Sequence, residues 1–141
     1  MTTGNLRESV KKAAMGLWSS TPVIAGVLLL VGLLNTLIPK SAYTAVFSKI
    51  PILDSFLGSA IGSILAGSPI TSYILGGELL QQGVSLVAVT AFIVAWVTVG
   101  VVQLPAESML LGKKFALVRN ATAFIMTIVV ALATVAIVSM I

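Results

Sequence analysis

The triplet Gly67-Ser68-Pro69 interrupts the stretch 52–82, which carries no charge between Asp54 and Glu78. Proline has no backbone N–H to give and pushes the residue before it out of helical geometry. One helix over the whole stretch would be about 46 Å long at 1.5 Å per residue. The hydrocarbon core of a bilayer is only about 30 Å thick. The break therefore predicts two half-helices, 52–66 and 70–82. Each is too short to cross a bilayer, and they suit a hairpin that enters and turns back.

A bilayer comes into consideration because the 141 residues are 58% hydrophobic and 9% charged, with a mean hydropathy of +1.15. A water-soluble domain keeps about a quarter of its residues charged. Composition thus predicts an all-α integral membrane protein. The chain lacks Cys and His, which excludes disulfides, thiol chemistry and the commonest metal ligands. No cofactor and no metal are expected. The basic residues form short clusters at the ends of apolar segments, the pattern of membrane anchoring rather than of nucleic-acid binding. "MTTGNLRESVKKAAMG" is too polar for a signal peptide, so the first apolar segment reads as retained.

The chain then reads as a single transmembrane domain. Residues 5–17 form an interfacial amphipathic helix with Arg7, Lys11 and Lys12 on its wet side. Stretches 18–38, 84–104 and 118–141 are full spans. The expected fold is three full transmembrane helices plus a re-entrant hairpin of two broken half-helices. Positive charge supports the hairpin. With the N-terminus in the cytoplasm, it puts six basic residues (7, 11, 12, 113, 114, 119) inside and two (40, 49) outside. A single crossing by 52–82 would put three inside and five outside, against the positive-inside rule. The expected location is the cell membrane, multi-pass, with a cytoplasmic N-terminus.

Polar positions within the apolar segments mark the candidate site. Gly58 and Gly62 lie four apart and place small residues on one helical face, with Gly67, Gly76 and Gly77 as further packing positions. Past the break, Pro69 is a good first helical residue and Ser68 a good N-cap. Free N–H groups at such an end favour an anion or a substrate oxygen. Ser68, Pro69, Thr71, Ser72 and Tyr73 are therefore expected to line a substrate path. Helix packing is the rival reading. Glu78 and Glu107 are either surface carboxylates at helix ends or carboxylates in a cavity. Gln103 and Asn35 are amides suited to bonds between helices or to substrate contact. Asp54 reads as a helix-start carboxylate. There is no paired-carboxylate spacing, no phosphate loop and no histidine base for the serines, so no enzyme is expected.

Residues 67–120 resemble one repeat of the predicted permeases grouped with organoarsenical efflux permeases. The matching positions are Gly67, Pro69, Gly77, Leu79, Leu80, Gly83, Ala91, Phe92, Leu104, Pro105, Leu111, Gly112 and Ala116. The resemblance implies one repeat of an inverted-repeat-like permease, here at half the family's usual length. Arsenical exporters carry cysteine at the break, where this chain has serine. Half-length implies two copies, a homodimer and possibly an antiparallel one.

The expected function is a small homo-oligomeric permease moving a small solute or ion along the Gly-Ser-Pro break. An ion channel of the same architecture and a non-transporting membrane scaffold or subunit are the alternatives. Its expected partners are itself, membrane lipid and a small solute or ion, with no nucleic acid.

Overall fold

The computed structural model describes residues 6–37, 39, 42, 45–48, 50–65 and 67–141. Six helices occur among them: α1 (Leu6–Leu37), α2 (Pro51–Ile64), α3 (Pro69–Gln81), α4 (Leu86–Thr98), α5 (Leu104–Leu111) and α6 (Lys113–Val138). The chain divides into two compact units, Met1–Leu37 and Ile38–Ile141. Lys40, Lys49 and the side chain of Asn35 lie outside the described residues.

The first unit is built on α1, which runs unbroken from Leu6 to Leu37 and joins what the sequence divides into an interfacial helix and a first span. Pro22 sits inside it and cannot donate to the turn before. Around it, the hydroxyls of Ser19 and Thr21 donate to the carbonyls of Gly16 and Leu17 at 2.8 and 3.1 Å. Near the start, Lys12 pairs with Glu8 at 3.0 Å on the exposed surface.

In the second unit α4 is the central element. Val87, Ala88, Val89, Ala91, Phe92, Ala95 and Trp96 are all buried, and α2, α3 and α6 pack on it. The α2–α4 contact is the tightest. A Cβ on Gly58 would run into the carbonyl oxygen of Ala88, and one on Gly62 into that of Phe92. Backbone meets backbone there, which only glycine permits. On another side, Val87 and Ala91 join Ala131 of α6, with Leu132 and Val135 packed against them.

The helix ends follow local chemistry. Proline occupies one of the first two positions of α2, α3 and α5, where its missing N–H costs nothing. Ser68 caps α3 by accepting from the Ile70 N–H at 3.3 Å. Ser85 caps α4 by accepting from the Ala88 N–H at 3.4 Å. At the end of α3, the N–H groups of Gly83 and Val84 donate to the carbonyls of Leu80 and Leu79, each at 3.0 Å. This is the paired closure of a Schellman motif, and Gly83 takes the φ of 90° that it needs.

This architecture overturns the expected fold of three full transmembrane helices plus a re-entrant hairpin. Among the described residues, only α6 is long and apolar enough to cross a membrane. The stretch 84–104 does not form one span. It yields the 13 residues of α4, about 20 Å of helix, followed by extended backbone at Val99. Its unbroken hydrophobicity has another physical cause. A helix enclosed by neighbours is apolar all round, just as a membrane span is. Helices α2 and α3 pack against α4 as members of the same bundle. The multi-pass placement in the cell membrane and its cytoplasmic N-terminus rested on those spans and do not hold.

Candidate functional site

The residues expected to form a path are dispersed. Ser68 and Pro69 are exposed at the start of α3, with the Ser68 hydroxyl engaged in its cap. Ser72 is buried, but its hydroxyl donates to the Pro69 carbonyl of its own helix at 2.7 Å. Thr71 is half-buried and Tyr73 exposed. Glu78, one to two turns further on, accepts from the Gln82 amide at 2.8 Å. Gln103 is exposed. Glu107 faces α6, accepting from Arg119 at 2.7 Å and from the Asn120 amide at 3.2 Å. None of them lines the apolar cavity between α2, α3 and α4.

Of the glycines, Gly58 and Gly62 make the backbone contact with α4. Gly67 lies against the Trp96 ring and Gly76 against Ile93 and Val89. A Cβ on Gly77 would meet nothing within 4 Å.

What the fold does assemble is an apolar cavity of about 320 Å³, partly open to the outside. Three sets of residues wall it. Val46 and Phe47 come from the segment before α2, Gly58 and Ile61 from α2, and Leu79, Val84, Ala88 and Phe92 from α3, its closing turn and α4. The lining is almost wholly carbon. The Schellman turn at Gly83 directs Val84 inward, where it clusters with Phe47, Ala88 and Val89. Gly58 lines the cavity at the point where its backbone meets that of Ala88. A volume of this size lies at the lower end for small-molecule sites.

Beside the cavity lies a fully buried carboxylate, Asp54. It accepts from the Ser48 backbone N–H at 3.0 Å and from the Ser85 hydroxyl at 2.6 Å. Its role differs from that of a helix-start carboxylate, because both partners lie outside α2. Sequence reasoning missed the pairing of Asp54 with Ser85, and nothing local signals it. Among the described residues no group of three or more acidic side chains could hold a metal ion.

Neither a protein family, nor a curated protein, nor a solved structure matches this chain. The resemblance of residues 67–120 to organoarsenical efflux permeases is therefore not upheld. The positions that suggested it have structural roles here. Gly67 and Pro69 break the helix, Gly83 closes α3, and Gly112, at a φ of 91°, separates α5 from α6. The permease reading and its channel and scaffold alternatives fall with the spans they required.

Proposed function

We propose that the second unit is a binding module for a small, neutral, apolar molecule held between α2, α3 and α4. The observation that supports this is the carbon-lined cavity between Phe47, Ile61, Val84 and Phe92. A charged or strongly polar guest would lose its hydration there without finding partners, at a cost of several kcal/mol. An aromatic hydrocarbon or a short alkyl chain gains dispersion contacts and loses nothing polar. The role is one of binding and not of catalysis. Self-association stays a proposal too, to be tested by sedimentation of the purified chain.

The test is a methyl-resolved NMR titration with naphthalene. Saturable shifts confined to Val46, Ile61, Leu79 and Val84 support the cavity as the site. Shifts spread over exposed residues such as Leu110, Ile125 and Ile137, with no saturation, would reject it.

A further inference from the structure

Asp54 is a costly residue to bury. A carboxylate removed from water needs strong hydrogen bonds to compensate its lost hydration. Its two oxygens are used on two different parts of the chain. Oδ1 accepts from the Ser48 N–H at 3.0 Å, and Ser48 follows Phe47 directly. Oδ2 accepts from the Ser85 hydroxyl at 2.6 Å, and Ser85 follows Val84 directly. Phe47 and Val84 are both buried and both line the apolar cavity. The short contact to Ser85 has the length of a charge-assisted bond.

The Ser85 oxygen extends the connection. While donating to Asp54, it accepts from the N–H of Ala88, a third residue of the lining. Asp54 itself lies one helical turn before Gly58 of α2, which also faces the cavity. One carboxylate thus joins the segment before α2, the body of α2 and the start of α4. The lining contributes packing, and the carboxylate adds directional bonds between those three walls.

We propose that Asp54 is the positioning residue of the apolar cavity, a clamp that fixes Phe47 and Val84 and so sets the affinity for an apolar guest. Asp54 does not touch the guest. It acts through Ser48 and Ser85 on the shape of the space. This rests on the reading of the cavity as a binding site, and the experiment separates the two.

The test measures naphthalene affinity by the same methyl NMR titration in the wild type and in four variants. In Ser85→Ala the Oδ2 partner and the α4 cap are both lost, and affinity falls by about ten-fold, the equivalent of one strong hydrogen bond. In Asp54→Ala both links are lost and the fall is larger. In Asp54→Asn the amide oxygen still accepts from Ser48, and the NH2 donates to Ser85 with its hydroxyl turned round. This conservative variant restores affinity to within about three-fold of wild type, less than half the free-energy change of a ten-fold step. Glu107→Gln, which loosens the α5–α6 contact away from the cavity, lowers stability without changing affinity. In the ligand-free protein, the Val46 and Val84 methyl shifts move in Ser85→Ala and not in Glu107→Gln. A folded Asp54→Ala or Ser85→Ala protein that binds naphthalene as tightly as wild type overturns the clamp. A wild type that shows no saturable shifts overturns the cavity reading instead.

Discussion

The Trp96 indole N–H donates to the carbonyl oxygen of Gly67 at 3.3 Å, tying the last turn of α4 to the connection between α2 and α3. The same indole packs edge-on against Phe92, with ring centroids 5.5 Å apart. Trp96→Phe keeps most of the ring packing and removes the donor. It is expected to lower unfolding free energy by about 1 kcal/mol, the net worth of a typical hydrogen bond. Chemical denaturation monitored by circular dichroism measures this.

Gly58 and Gly62 of α2 and Gly77 of α3 are predicted to respond in opposite directions. Gly58→Ala and Gly62→Ala force a methyl group onto the carbonyl oxygens of Ala88 and Phe92. Overpacking of this kind costs about 1–3 kcal/mol, here at the high end because the obstacle is backbone. Gly77→Ala meets open space and stabilises the helix interior by about 0.5–1 kcal/mol. Melting temperatures of the three variants should bracket the wild type.

Gly83 holds its φ of 90° to close the turn that directs Val84 into the cavity. Gly83→Ala places a Cβ in left-handed geometry at about 1–2 kcal/mol. Gly83→Asn, which visits that region more readily, should cost less. The order glycine, asparagine, alanine in thermal stability is the check.

Arg119 and Glu107 join α6 to α5, and the Asn120 amide shares the carboxylate. The Arg119 side chain stays 38% exposed, so water screens the pair. A double-mutant cycle with Glu107→Gln and Arg119→Gln is expected to give a coupling of about 1 kcal/mol or less. It should shrink further as salt is added.

Local punctuation was legible in the sequence and its consequences were not. Ser68 before Pro69 announces a helix start from chemistry contained in two adjacent residues, and α3 begins there. The spacing of Gly58 and Gly62 announces close packing, and α4 is what packs. The apolar run 84–104 carried no such information. Hydrophobicity on every side looks the same whether lipid or protein supplies the surroundings. What decides is where the helix stops, and the extended backbone at Val99 that ends α4 has no proline to announce it. The cavity was invisible because nothing local announces that Val46, Leu79 and Phe92, from three separate elements, meet. Asp54 does stand in the first turn of its helix, but its bonding was out of reach for a related reason. Its partners stand 6 and 31 residues away, and periodicity within one helix cannot report them.

The prolines at the starts of α2, α3 and α5 also bear on how the chain can evolve. A helix that begins at proline resists winding back, since the ring disfavours helical geometry in the residue before it. A residue deleted inside α2 or α3 is therefore not readily absorbed by drawing in chain from upstream. It would rotate everything downstream by about 100°, taking Gly62 off α4 or Gly76 off Ile93. Length changes should be tolerated better in the connections between helices, such as 99–103. Such connections are where related chains could differ in length and keep the same packing.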